Sequence, residues 1–214
     1  GRYNTGSGFW LRGIKSAHVF NCYGYRNGNK GITATGYGIT FSQYCANIVI
    51  EGGAYYENYR KGIDKHGGVG TVVIKDVLVA DNIVFQMSFD QQYNSKYDAS
   101  LLTNMELINV DVLFGLNGTF CDEAIAAIDP AYANHITILL NDKNIDGTTA
   151  GRLSKVTMTN CKIGFMSGLA NKYQSYNGIS SMAGELRLHN FVMDLRFLNI
   201  DKATTKTVYS LVPI

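Results

Sequence analysis

Six short segments of this 214-residue chain follow one pattern, and no other feature constrains the fold as strongly. Each segment reads apolar, any residue, then Asn, Asp or Gly, followed by a small or apolar residue, any residue and usually another apolar residue. Self-similarity at intervals of a few dozen residues is typical of repeat proteins, in which each repeat packs against its neighbours. The third positions of the six segments are Asn21, Gly52, Asp76, Asn109, Asn160 and Asn190.

The pattern predicts one backbone corner in every repeat. An outward residue between two inward apolar residues has the period of a half-buried strand. Asn, Asp and Gly tolerate the left-handed backbone that a corner requires. A second recurring segment, Gly-Ile (the second register), keeps a similar distance from the corners and so supports the repeat. Gly38 and Gly62 each lie 14 residues before a corner, and Gly178 lies 12 residues before one. We therefore predict an all-β chain that winds as a single-stranded parallel β-helix, a solenoid.

The spacing of the corners predicts one domain, residues 1–214, with one irregular part. The steps between corners are 31, 24, 33, 51 and 30 residues, so the step of 51 is expected to hold two turns, the missing one near 136–141. An insertion or loop-rich part is expected over 114–151, with one short helix at 124–132. The last residues, 204–214, are expected to form an edge strand. Because the first residue is Gly1 rather than a methionine and the repeat is already under way by Gly8, we expect a piece of a longer polypeptide.

Composition narrows the function classes. A net charge of +2 without a block of Lys or Arg argues against nucleic-acid binding. No apolar run approaches the ~20 residues of a membrane helix, and no signal peptide opens the chain. The spacing of the four cysteines predicts buried free thiols rather than disulfides or a zinc site. No cofactor and no metal are expected. The cysteines are Cys22, Cys45, Cys121 and Cys161.

Three stretches carry a resemblance to a known family: 14–22, 156–161 and the Gly-Ile-Asp-Lys-His segment at 62–66. They resemble the coils of the pectate-lyase-like right-handed parallel β-helix. The loose coils, the abundant Tyr, Asn and Gly, and the few cysteines are most similar to bacteriophage tailspike and tail-fibre proteins. The resemblance implies a homotrimer in the virion tail, outside the cell, joined to other tail components. It also implies that the protein binds, and often cleaves, bacterial surface polysaccharide.

The two registers place several polar residues on one outer face. Asp64 and His66 are predicted to be outward residues of one strand, with Thr40 and Ser42 beside them one coil earlier. Arg12 takes the corresponding place on the coil before, one residue out of strict register. Arg12, Ser42 and His66 would then form a column. The alternative is that Asp64 and His66 are a polar cap on a turn.

The column suits two kinds of polysaccharide cleavage. A lyase acting on a uronic acid needs a cation for the carboxylate and a base for the α-proton. A hydrolase needs two carboxylates about 5 to 9.5 Å apart, and Asp64 with Asp90, Asp98 or Glu57 is a candidate pair. The candidate catalytic residues are therefore Arg12, Asp64, His66 and Asp90.

Aromatic residues in the loops and first strand predict a sugar-binding surface. Sugar rings lay their apolar faces on aromatic rings while their hydroxyls meet polar side chains. The alternative is that these residues are packing residues at subunit contacts or over the flank of the helix. The candidates are Trp10, Tyr55, Tyr56, Tyr59, Tyr93 and Tyr97.

One motif matches the start of a calcium loop. Asp142, Asn144 and Asp146 have the spacing, but Leu153 stands where a bidentate Glu belongs, so a plain polar turn is expected.

The leading hypothesis for function is a tailspike-like polysaccharide depolymerase, a hydrolase or a lyase. The alternatives are a non-catalytic receptor-binding or structural β-helix of a tail fibre, and a secreted bacterial polysaccharide lyase.

Overall fold

A computed structural model describes residues 1–31, 35–42, 45–66, 70–90, 103–128, 134–141, 153–173, 175–181, 183, 185–197 and 206–211. Most of these residues form strands, and the strands lie in two parallel sheets. The seven-stranded sheet contains β1 (Ser7–Arg12), β3 (Tyr37–Ser42), β5 (Lys61–His66), β8 (Phe85–Asp90), β11 (Asn134–Asn141), β14 (Ser175–Ser181) and β17 (Lys206–Leu211). The ten-stranded sheet contains β2 (Ser16–Tyr25), β4 (Asn47–Tyr56), β6 (Thr71–Lys75), β7 (Leu78–Ala80), β9 (Thr103–Ile108), β10 (Asp111–Phe114), β12 (Leu153–Thr159), β13 (Lys162–Phe165), β15 (Glu185–His189) and β16 (Val192–Asp194). The prediction of an all-β chain with parallel strands is confirmed.

Successive parts of the chain alternate between the two sheets. The seven-stranded sheet grows in chain order, β1-β3-β5-β8-β11-β14-β17, and the strands between them belong to the other sheet. Its last strand, β17, falls within 204–214, where an edge strand is predicted. Each passage of the chain therefore adds one parallel strand beside the previous one.

The ten-stranded sheet has two arms that meet at β4. The first half of β4 pairs with β6, and the second half pairs with β7. One arm continues through β9, β12 and β15, and the other through β10, β13 and β16. The bend between the arms lies at the predicted corners.

All six predicted corners adopt a left-handed backbone, which confirms that prediction. Their φ angles lie between 47° and 68°. Amide side chains also link successive corners: Asn109 donates to Asp76 at 2.8 Å, Asn160 to Asn109 at 3.2 Å, and Asn190 to Asn160 at 2.9 Å. The corner residues thus stack as an exposed ladder.

The second register is confirmed as well. Ile39 pairs with Ile63, and Ile138 pairs with Ile179 in the Gly178 segment. These side chains form one line of the core, with Met87 between them, and each is at most 2% exposed. The core therefore lies between the seven-stranded sheet and the two arms of the other sheet.

Two expectations for the irregular part are wrong. The step of 51 residues contains one turn, because β9 pairs directly with β12 and Asn160 donates to Asn109. Residues 134–141 form β11 in the seven-stranded sheet, so they are not a second turn of this step. Among the described residues the α-helix is α1 (Gly118–Ala126), six residues earlier than predicted, because Asn117 accepts the N–H of Phe120 as an N-cap.

The cysteines are free thiols, as predicted. Cys45, Cys121 and Cys161 are buried, whereas Cys22 is partly exposed. Cys22 lies in β2, which pairs with β4 on one side. The Cys22 side chain therefore has a neighbouring strand on one side only, which leaves it partly exposed.

Candidate functional site

Four residues selected from the sequence lie in one row across four adjacent strands. Arg12 pairs with Ser42, Ser42 with His66, and His66 with Asp90. We call Arg12, Ser42, His66 and Asp90 the outer row. The predicted column is confirmed as a backbone register, with Arg12 in strict register rather than one residue out. Neighbouring parallel strands are ~4.8 Å apart, which puts the backbones of Arg12 and His66 about 10 Å apart.

Trp10 lies beside the start of the outer row and is exposed. Its side chain is 64% exposed, and its indole Nε1 donates to the Ser42 hydroxyl at 3.1 Å. The guanidinium of Arg12 lies 5.9 Å from the centre of the Trp10 ring. A flat aromatic surface and an exposed cation thus adjoin each other, which suits a sugar ring that carries a carboxylate.

Asp64 lies on the same face, as predicted for an outward residue, but it is closed to solvent, which argues against its predicted catalytic role. It is 0% exposed, and Lys61 Nζ donates to its Oδ1 at 2.7 Å. Lys61 also donates to the Ser88 hydroxyl at 3.0 Å and lies 5.8 and 5.1 Å from the ring centres of Tyr37 and Phe85. Burial of this ion pair depends on such close polar and aromatic neighbours. Asp64 therefore belongs to a structural polar cluster beside the outer row, two residues earlier on the same strand as His66.

The predicted tyrosines do not share one site. Tyr55 is 0% exposed in the core, so it is excluded as a surface binding residue, and burial raises the pKa of its hydroxyl. Tyr56 stacks on Tyr25 with ring centres 4.9 Å apart. Tyr59 lies against Phe120, 5.4 Å between ring centres. Both Tyr56 and Tyr59 lie at the end of the strands remote from the outer row. Tyr93, Tyr97 and Asp98 lie outside the described residues.

The structure has a second column of left-handed corners that was not predicted from the sequence. Arg26, Glu57 and Asp81 have φ angles of 51°, 53° and 53°. Each lies five residues after a predicted corner and is followed by an asparagine. A charged residue followed by asparagine, five residues after a corner, is the recurring pattern from which they could have been predicted. We call Arg26, Glu57 and Asp81 the charged corner.

The asparagines that follow the charged corner form a buried ladder, Asn27, Asn58 and Asn82, each 0% exposed. The Asn58 side chain accepts from Asn27, and the Asn82 side chain accepts from Asn58, both at 2.8 Å. Gln86 continues the ladder by accepting from Asn82 at 2.9 Å. These bonds run along the stack and fix the turn from one sheet to the other.

The charged corner also holds the start of α1. Asp81 accepts the backbone N–H groups of Gly115, Leu116 and Asn117 at 2.6 to 3.1 Å. Glu57 accepts from Arg26 at 2.5 Å and from the Asn117 amide at 2.9 Å. Burial raises the pKa of Asp81, although the backbone donors act in the opposite direction. Helix α1 is therefore fixed against the corner of the stack.

Among the described residues, no three His, Cys, Asp or Glu side chains come together as the ligands of one metal ion would. The motif of Asp142, Asn144 and Asp146 lies outside those residues. The part of the chain that the structure describes also contains no helix of the length and apolar character needed to cross a membrane. Comparisons with family models, with curated proteins and with solved structures found no match to this chain.

Proposed function

We propose that this chain is a right-handed parallel β-helix of the bacteriophage tailspike type that binds and depolymerises bacterial surface polysaccharide. The alternation of strands between two parallel sheets, one strand per passage, supports the winding. Its handedness follows from the strong preference for right-handed connections between parallel strands. The stacked corners and the buried asparagine ladder are the repeated contacts that such a winding requires.

The outer row is the single observation that carries the catalytic part of the proposal. In β-elimination from a uronic acid, Arg12 would neutralise the carboxylate and His66 would take the α-proton. The C–H electron pair then forms a carbon–carbon double bond, and the bond to the glycosidic oxygen breaks. The departing oxygen takes a proton from solvent. The support for this assignment is the backbone register, which places Arg12 and His66 two strands apart in one row.

Hydrolysis by two carboxylates is less well supported by the same residues. Asp64 and Asp90 are one strand and two residues apart, which puts their backbones about 8 Å from each other. The range for a pair of catalytic carboxylates applies to the carboxyl groups, not to the backbones. Asp64 is also fully buried and bound to Lys61. Elimination at Arg12 and His66 is therefore the reaction we propose.

One observation favours a second function, a non-catalytic receptor-binding or structural β-helix. Ser42, in the middle of the outer row, is 5% exposed, and Asp64 below it is 0% exposed. A closed row would still present the exposed Trp10 and Arg12 to a glycan at its edge. In this case the chain binds polysaccharide and leaves it intact.

Incubation with purified capsule or lipopolysaccharide tests the reaction. A rise in the ultraviolet absorbance of unsaturated uronate is expected for elimination, whereas new reducing ends without that absorbance would indicate hydrolysis. His66→Ala and Arg12→Ala are expected to abolish the rise. His189→Ala and Arg187→Ala, exposed residues of β15 in the other sheet, are matched controls that should retain it. Binding without either product would overturn the enzymatic proposal and leave the receptor-binding one.

The partners follow from the same proposal. A tailspike-type chain would act as a homotrimer attached to other components of a virion tail. Light scattering tests the assembly, and a monomer at micromolar concentration would contradict it.

A further inference from the structure

A groove lies beside the charged corner, at the end of the strands remote from the outer row. Its volume is about 620 Å³, and α1 forms one wall. The distance from this end of β3, at Tyr37, to Ser42 is five residues, roughly 17 Å of strand. The groove and the outer row are therefore separate places on the molecule. The lining residues include Tyr3, Arg26, Lys30, Tyr59, Phe120 and Glu123.

Aromatic rings line the groove. Tyr3 is 64% exposed, and the rings of Tyr59 and Phe120 meet at an angle of 56° with centres 5.4 Å apart. Rings that are accessible and held at fixed angles offer the flat apolar surfaces on which sugar rings lie.

The charged groups in and beside the groove are paired. Arg26 is paired with Glu57, and Lys30 lies 3.2 Å from Glu123. Glu57 also accepts from the Asn117 amide, whose side-chain oxygen caps α1. Each cation thus has an anionic partner, which leaves no net attraction for an anionic ligand.

We infer that this groove is a second carbohydrate-binding site and that it takes a neutral sugar. Stacking on Tyr3 and Tyr59 would hold the ring, and the amide of Asn117 and the carboxylate of Glu123 would meet its hydroxyls. The outer row, with its exposed Arg12, suits an acidic sugar instead. The source of the ligand, a bacterial surface glycan, rests on the proposed function. The preference for a neutral sugar does not, because it follows from the paired charges of the groove.

The test is titration of the wild-type chain with neutral hexose oligosaccharides and, separately, with a uronate oligomer. Trp10 is the single tryptophan of the chain and adjoins the outer row, so its fluorescence reports binding there. Neutral oligosaccharides are expected to give a calorimetric signal without a change in Trp10 emission. The uronate oligomer is expected to change that emission.

Variants separate the two sites. Tyr3→Gly retains the left-handed backbone at φ 54° and is expected to weaken neutral-sugar binding roughly 10-fold. Tyr59→Ala is expected to act in the same direction, and Tyr23→Ala, an exposed tyrosine outside the groove, is the control.

The outcomes distinguish this inference from the proposed function. No binding of any neutral oligosaccharide, or affinities that Tyr3→Gly and Tyr59→Ala leave unchanged, would overturn the inference. Neutral-sugar binding that depends on Tyr3 in a chain that cleaves no polysaccharide would support the inference and contradict the proposed depolymerase. His66→Ala is expected to remove cleavage and leave binding in the groove intact.

Discussion

Asn58 at the centre of the buried ladder is expected to be among the most sensitive single positions for stability. Its side-chain oxygen accepts the backbone N–H and the amide of Asn27, at 3.1 and 2.8 Å. Its amide donates to the carbonyl of Gly24 at 3.0 Å and to Asn82 at 2.8 Å. Asn58→Ala removes all four bonds at a site that is 0% exposed.

The expected loss follows from the groups left without these partners. The Asn27 N–H and the Gly24 carbonyl would lose buried hydrogen bonds, and each unsatisfied buried group costs about 1 to 3 kcal/mol. Allowing for the amide contact to Asn82 as well, we expect a loss of roughly 3 to 5 kcal/mol in the free energy of unfolding. That is a large part of the roughly 5 to 15 kcal/mol that stabilises a typical domain.

Urea unfolding followed by far-ultraviolet circular dichroism measures this loss. The control is Asn160→Gly in the exposed corner ladder, which also removes two side-chain bonds but suits the φ of 53°. Because water replaces those bonds, the control is expected to lose less than ~1 kcal/mol. The reasoning is refuted if Asn58→Ala loses no more stability than Asn160→Gly.

Three further predictions concern the core and the charged corner. Gly62→Ala is expected to lower the free energy of unfolding in urea by about 1 to 3 kcal/mol, because an added Cβ would lie 2.5 Å from the Asn82 amide. The control is Gly6→Ala, which has open space around it and should change that free energy little. Tyr55→Phe is expected to keep or raise the unfolding temperature, since the Tyr55 hydroxyl is buried without a hydrogen-bond partner among the described residues; a clear fall would contradict this. Burial raises the pKa of Asp81 above 3.8, so the folded chain binds this proton more readily and stability falls as pH rises through the raised pKa. Asp81→Asn should remove this fall when the free energy of unfolding is measured across pH. The same slope of that free energy against pH in the variant and in the wild type would refute the prediction.

Local backbone preference explains why the corners could be predicted. Asn, Asp and Gly tolerate a left-handed backbone wherever they occur, so Asn21, Gly52 and Asp76 mark corners without knowledge of their neighbours. The alternation of apolar residues gave the register of β3 and β5 in the same way. The charged corner was missed because Arg26 and Glu57 are residue types that seldom adopt this backbone, and only their recurrence before an asparagine marks them.

The backbone alignment of the candidate site could also be predicted from the sequence. Its residues follow from register, so Arg12, Ser42 and His66 could be aligned from sequence spacing to within one residue. The number of residues between Asn109 and Asn160 carries no such information, because additional residues, among them α1, leave the pairing of β9 with β12 unchanged. The prediction of two turns between Asn109 and Asn160 was therefore wrong.

The sequence by itself determined the six corners at Asn, Asp and Gly, the second register and, to within one residue, the row of Arg12, Ser42 and His66, because these depend on the period of the chain and on residues near in sequence. The tertiary structure decided which polar residues are closed to solvent. Asp64 and Tyr55 were expected on the surface, yet Lys61 and the packed core enclose them. It also decided that Tyr59 and Phe120, 61 residues apart in the sequence, pack against each other in the lining of a groove. The burial of a residue and its contacts with distant residues depend on the strands and side chains packed around it, and those neighbours come together only when the chain has folded.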